Sequence, residues 1–128
     1  MTKFVIDAYA WIEYFEGSSA GEIVKEKIIN PSNEIYTSTV TIAEVISKIK
    51  RVNRDFEIAY KAIITLSKPI SVDDEAAKEV GLLYAEIKKK ILDFGLADAF
   101  VLNLARSIKA KVLTGDSHFK NFPETVMI

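Results

Sequence analysis

Short apolar runs rich in β-branched residues alternate along this chain with longer stretches of helical spacing, and no other feature restricts its fold so much. A strand repeats every two residues and a helix about every 3.6, so neither pattern substitutes for the other. Lys3 to Ile6 reads as a buried strand and Glu34 to Ser38 ("EIYTS") as a second. "KPISV" is a short third strand with its proline at the start, where a missing amide hydrogen does least harm. "AKVLTG" supplies a fourth, and the tail "ETVMI" a final edge strand. Between them, Ala8 to Phe15 reads as a short helix turning Ile12 and Phe15 inward, and Ser19 to Ile29 as a helix capped by Ser18 or Ser19 and stopped by "NPSN". From about Val40 to Lys50, Ile42, Val45, Ile46 and Ile49 recur at helical spacing, and Asp55 to Ser67 gathers Phe56, Ala59, Tyr60, Ile63 and Ile64 on one side. Asp73 or Asp74 caps a long helix to about Lys90, and Leu96 to Ile108 is the most apolar helix. Elements in this order predict an α/β domain, with a mostly parallel central sheet of four to five strands and helices on both faces. No repeat, low-complexity tract or linker divides the chain, so residues 1–128 are read as a single domain around one sizeable core.

Composition narrows the chemistry. Without cysteine there are no disulfides, thiolate zinc sites or cysteine nucleophiles. His118 is the only histidine, so a bound metal is held mainly by oxygen, which points to Mg2+ or Mn2+ rather than Zn2+. The formal net charge of −1 gives no hint of a nucleic-acid or anionic-membrane partner, yet leaves room for a local basic surface. With no leader-like N-terminus and no apolar stretch of membrane-spanning length, the expectation is a soluble cytoplasmic protein with no membrane partner.

Most acidic residues fit solvated helix faces. Asp7, Glu44, Asp98 and Asp116 instead lie among apolar or small neighbours, in "FVIDAYA", "TIAEVIS", "GLADAFVL" and "VLTGDSHF". Each has a structural explanation. Asp7 fits an N-cap, Thr41 and Glu44 have capping-box spacing, Asp98 suits the first turn of its helix, and Asp116 suits an Asx-turn or a cap through Ser117. Topology adds a second reading. In a β-α-β unit the helix runs antiparallel to its strands and starts at the carboxyl edge of the sheet, where ligands of such sheets gather. Asp7 and Asp116 follow strands, while Glu44 and Asp98 are expected in first turns of helices, so all four converge on one edge. Caps also fall there, but capping does not require acids at four such points with no lysine or arginine beside any of them. Such a cluster is costly without a cation, because like charges raise one another's pKa. One or two Mg2+ ions suit it, and can activate water and stabilise charge on a phosphodiester in transit.

With these residues in this order, the chain resembles the PIN-domain family, and more narrowly the small VapC-type toxins of prokaryotic toxin–antitoxin pairs. The resemblance covers essentially the whole chain and rests on "FVIDAYAWIEYF", "TSTVTIAEV", "GLADAFVLNLAR" and "LTGD" followed by "SHF". It implies a three-layer PIN-like fold and Mg2+- or Mn2+-dependent cleavage of RNA. It matches Asp7, Glu44, Asp98 and Asp116 to the family's acidic catalytic and metal-binding quartet, and Ser38 and Thr114 to hydroxyl positions that orient carboxylates or water behind it. Many relatives carry an acid two places beyond the last aspartate, where this chain has His118. That residue is read chiefly as a lone surface histidine, with phosphate contact as the alternative. The resemblance also implies a cognate antitoxin and a homodimer.

The remaining features are weaker. Lys48, Lys50, Arg51 and Arg54 cluster at one helix end and Lys88 to Lys90 form another basic patch; solvated helix faces explain both, and contact with an RNA backbone is the alternative. Tyr9, Trp11 and Tyr14, with the apolar sides of Val24 to Ile29 and Asp55 to Leu66, are read chiefly as core, with a groove for an antitoxin segment or a second copy as the alternative. A PIN-like module that binds RNA or protein without cutting is the competing function. A phosphoaspartyl phosphatase is disfavoured by Tyr9 where a second aspartate belongs, and a response-regulator receiver by the lack of an acidic pair in "VIDAY".

Overall fold

The computed structural model describes residues 1–128. Five parallel strands form one sheet: β1 (Thr2–Ile6), β2 (Asn33–Ser38), β3 (Lys68–Ile70), β4 (Lys111–Thr114) and β5 (Thr125–Met127). The helices are α1 (Ala8–Glu16), α2 (Ser19–Ile29), α3 (Thr39–Arg51), α4 (Phe56–Leu66), α5 (Asp74–Lys88) and α6 (Leu96–Ile108), with a 3-10 turn at Ser117–Phe119. The strand order β3-β2-β1-β4-β5 means that the chain winds outward from β1 to one edge, then returns to lay β4 against the other side of β1. The order reverses between β1 and β4. That reversal opens a crevice beyond their carboxyl ends, where open α/β sheets bind ligands.

The α/β class and the parallel sheet are as the alternation predicts, and "ETVMI" does form an edge strand. The single core is a different matter, because the sheet splits it. Strand side chains alternate between faces, so Phe4 and Ile6 join Trp11, Val24, Val45 and Ile63 under α1–α4, while Val5 and Val112 join Val80, Leu102 and Phe119 under α5 and α6. On the four-helix side α1 and α2 approach closely. A Cβ at Gly21 would stand 2.0 Å from the Glu13 carbonyl oxygen, so no larger residue fits there without separating the two helices.

One open choice is resolved and one local expectation needs correction. Trp11 is core, the commoner of its two readings: it is fully buried, and its indole N–H donates to Thr37 Oγ1 at 3.2 Å. Thr37 in turn meets Ser67 Oγ at 2.7 Å, and Ser67 donates to the Ile63 carbonyl at 2.7 Å, so the chain of bonds that satisfies the buried indole runs from α1 to the end of α4. Thr41 and Glu44 form no capping box. Ser38 caps α3 by accepting from Val40 N–H at 3.2 Å, which starts the helix at Thr39 and puts Glu44 in its second turn. Thr41 is buried instead, its hydroxyl without a partner.

Candidate functional site

The crevice between β1 and β4 is built from backbone outward. Asp7, the first residue past β1, is tied to β4 by its N–H, which donates to the Leu113 carbonyl at 3.3 Å. Its side chain is buried at 3 % exposure, and each oxygen accepts one hydrogen bond. Oδ1 accepts from Ala10 N–H at 2.9 Å and so caps α1. Oδ2 accepts a short hydrogen bond from the Thr114 hydroxyl at the end of β4. The same Thr114 oxygen accepts from Asp116 N–H at 2.9 Å, so one buried hydroxyl fixes both strand-end aspartates. A Cβ at Gly115, between them, would lie 2.2 Å from Tyr9 Cε1, so a larger residue there would have to push aside the ring that covers the turn.

Asp98 enters from the opposite wall as the third residue of α6, its Oδ2 accepting from Gly95 N–H at 3.1 Å. Asp116 Oδ1 accepts from His118 N–H at 2.9 Å and caps the 3-10 turn. Oxygens of Asp98 and Asp116 and a ring nitrogen of His118 all lie within 4.8 Å of one another. Glu44 completes the quartet from α3. Together the four line an open cavity of about 760 Å³, which continues past Glu13 and Glu16 of α1 on one side and Lys48 and Arg51 of α3 on the other. Neither Lys48 nor Arg51 forms an ion pair with the quartet. Ser38 likewise makes no hydrogen bond to these carboxylates; its contribution is the cap that fixes where α3, and hence Glu44, begins.

The electrostatics are those of an uncompensated acidic site. Burial pushes the Asp7 carboxyl up to about 7, against the lowering effect of its bonds from Thr114 and Ala10, and the charges of Asp98 and Asp116 push the same way. Glu44 is pushed up to about 6 by partial burial and by Asp98, although its side chain stays open to solvent and the cost is screened accordingly. Asp98 is raised by burial first, opposed by the Gly95 N–H, and raised further by Asp116. A divalent cation relieves all of these together, and close carboxylate oxygens with one nitrogen beside them are a donor set such an ion accepts. The residues therefore fit a metal.

His118 is not the lone surface histidine that its sequence neighbours suggest. Nδ1 lies 3.1 Å from Asp116 Oδ1 and Nε2 lies 2.9 Å from Asp93 Oδ2, so the ring bridges the quartet to a loop acid. Its pKa is raised, chiefly by the hydrogen bond to Asp93, whose own pKa is lowered by the same bond. Asp93 escapes sequence reasoning because it lies in the exposed "ILDFG" turn, far along the chain from its partner. The adjacent residues bring the pair together: Phe94 and Phe119 pack edge to face, with ring centres 5.5 Å apart, in the core beneath. Of the basic residues noted in the sequence, Lys48 and Arg51 face the cavity, whereas Lys50 lies over the Phe56 ring and Arg54 donates to the Phe15 carbonyl. Lys88 and Lys89 of the second patch are engaged with the Leu92 carbonyl and Glu86.

Comparison with known proteins agrees with this architecture. A protein-family model described as PIN domain matches residues 4–124. No curated protein matches the sequence. Among solved structures, the toxin VapC20 of Mycobacterium tuberculosis, titled as cleaving the sarcin-ricin loop, superposes with a TM-score of 0.78 at 16% identity, over 98% of this chain and 99% of that one. A DNA-bound VapBC from Salmonella typhimurium gives 0.75 at 22% identity, over 100% and 98%. A toxin–antitoxin complex from Klebsiella pneumoniae gives 0.73 at 22% identity, over 96% and 95%. At such identities the likeness is one of fold.

Proposed function

This chain belongs to the PIN-domain family, and from that premise we propose that it is a divalent-metal-dependent endoribonuclease, the VapC-type toxin of a toxin–antitoxin pair. The observation that carries the reading is the convergence of Asp7, Glu44, Asp98 and Asp116, from four separate segments, on one cavity with no ion-paired lysine or arginine among them. Asp98 and Asp116 hold Mg2+ or Mn2+, with Asp7 and Glu44 completing the acidic cup. The cation, when bound, lowers the pKa of water and offsets charge on the phosphodiester oxygens during hydrolysis. Thr114 keeps Asp7 aimed by donating to Oδ2, and Ser38 fixes the start of the helix that carries Glu44. Lys48 and Arg51 share the Glu44 side of α3, one and two turns further on, and offer phosphate contacts to the strand leading away from the cut.

The toxin–antitoxin role is supported by neighbours solved as a toxin–antitoxin complex and as a DNA-bound VapBC. Exposed Ile23 and Ile29 of α2 and Ile58, Tyr60 and Ile64 of α4 supply apolar surface for a cognate antitoxin segment or for a homodimer. No helix is long and apolar enough to cross a membrane; an RNA-cleaving toxin of this kind would act in the cytoplasm, where its substrate is. Purified protein should cleave RNA when Mg2+ or Mn2+ is added, stop when EDTA is added, and lose cleavage in Asp98→Asn while staying folded. Full RNA binding with no cleavage under any divalent ion would instead make the chain a non-catalytic binding module.

A further inference from the structure

We propose that His118 is a nitrogen ligand of the cation held by Asp98 and Asp116, with Asp93 as its positioning residue, and that this mixed site selects Mn2+ over Mg2+. The inference rests on the metal reading above and concerns which ion the site prefers. Its geometric basis is the two-sided contact of the ring. Nε2 is taken by Asp93 Oδ2 at 2.9 Å, which leaves Nδ1 turned toward Asp116 Oδ1 at 3.1 Å. Nδ1 is also within 4.8 Å of an Asp98 oxygen if it is the nitrogen that completes the cluster, and the ring cannot offer Nε2 there without breaking its bond to Asp93. A metal-binding imidazole characteristically gives its other ring N–H to a carboxylate, which fixes ring orientation and tautomer. Asp93 supplies that partner from outside the acidic quartet. A cation shared by Nδ1 and Asp116 would take the place of the bare 3.1 Å contact now between them.

Stability offers no competing reason for the arrangement. Asp93 is 79% exposed and His118 31% exposed, and ion pairs so open to solvent contribute little to folding. The choice of ion follows from ligand chemistry. Mg2+ demands oxygen ligands and sheds water reluctantly; Mn2+ shares the preference for carboxylates but, as a first-row transition ion, takes one imidazole nitrogen at less cost than Mg2+ does. An acid at this position would leave an all-oxygen site that serves both ions; an imidazole penalises Mg2+.

Calorimetric titration of Mn2+ and of Mg2+ into the full chain, with pulsed EPR of the Mn2+ form, tests this on wild type, His118→Asp and Asp93→Asn. Wild type should show nitrogen modulation from a ring ligand, absent in His118→Asp. The ratio of Mn2+ to Mg2+ affinity should fall about tenfold or more in His118→Asp, and Mn2+ affinity should fall about tenfold in Asp93→Asn. Thermal melts without metal should be nearly unchanged in Asp93→Asn, which is surface-accessible, and somewhat lower in His118→Asp, which sets one more carboxylate beside Asp116 and Asp93. Tight Mn2+ binding without nitrogen modulation, or an unchanged ratio in His118→Asp, overturns the role of His118 and leaves the carboxylate site standing. No Mn2+ binding to wild type at all overturns the metal reading itself.

Discussion

Replacing Asp7 by Asn should stabilise the metal-free protein while abolishing cleavage. The carboxyl sits at about 7 in the folded chain against an ordinary 3.8, chiefly through burial. At about 1.4 kcal/mol per pH unit, holding it ionised in the folded state costs roughly 4 kcal/mol once pH is above that value. Asn keeps Oδ1 for Ala10 N–H and is as good an N-cap as Asp. It presents an amide to Thr114, whose hydroxyl hydrogen then loses its acceptor, at a cost of about 1–2 kcal/mol. The balance near pH 8 is a gain of roughly 2 kcal/mol, or a melting temperature higher by about 5–8 °C for a chain of this length. The sign with pH follows from the raised value. The folded-state proton contributes stability that is fully present below pH 3.8 and is lost as pH rises through about 7. Raised Glu44 and Asp98 tilt the wild type the same way. Wild type measured in EDTA should therefore melt progressively lower from pH 5 to pH 8, with Asp7→Asn meeting it near pH 5 and exceeding it near pH 8. Saturating Mn2+ should raise the wild-type melt and close the gap. An Asp7→Asn melt below wild type at both pH values would mean that the carboxylate is an ordinary, compensated cap, and the reasoning would fail.

Two further substitutions probe the supports of the site. Thr114→Val keeps volume but strips the donor from Asp7 and the acceptor from Asp116 N–H; it should cost roughly 1–3 kcal/mol by chemical denaturation and depress cleavage, and a neutral result would remove Thr114 from the machinery. Gly21→Ala sets a methyl 2.0 Å from the Glu13 carbonyl oxygen, so α1 and α2 must part; a loss of about 1–3 kcal/mol or more is expected in thermal melts, and a loss under about half a kcal/mol would show that the two helices slide freely.

What the sequence disclosed and what it hid divide along a physical line. Strand and helix identity came through because each element carries its own period, and the shared edge of Asp7, Asp98 and Asp116 followed because parallel connections force helix starts to that edge. Helix starts were less legible. Ser38, at the end of a strand, and Thr41, before an apolar run, both look like caps; the sheet register that buries Ser38 at the end of β2 decided for the first and moved Glu44 one turn deeper. The Asp93–His118 pair was invisible. Nothing in local spacing connects an exposed loop acid to a histidine 25 residues later, and only the packing of Phe94 on Phe119 brings them together. Trp11 was legible as core, but not the partner that makes its burial possible, Thr37 of β2, which receives the indole N–H.

For Asp7, capping a helix does not preclude serving as the proposed metal ligand. A carboxylate offers about four lone-pair directions, and the fold uses one on each oxygen: Oδ1 for the Ala10 N–H, Oδ2 for the Thr114 hydroxyl. The remaining directions stay available to a cation. Capping also helps the second role, because N–H groups at a helix start favour negative charge and oppose the desolvation that burial imposes. Asp98 repeats the device at the start of α6 through Gly95 N–H, and Asp116 at the 3-10 turn through His118 N–H. Three separate helix starts thus each restrain one carboxylate with backbone donors and aim it at the same space. The caps hold the acids in place; their mutual repulsion is what a divalent ion would relieve.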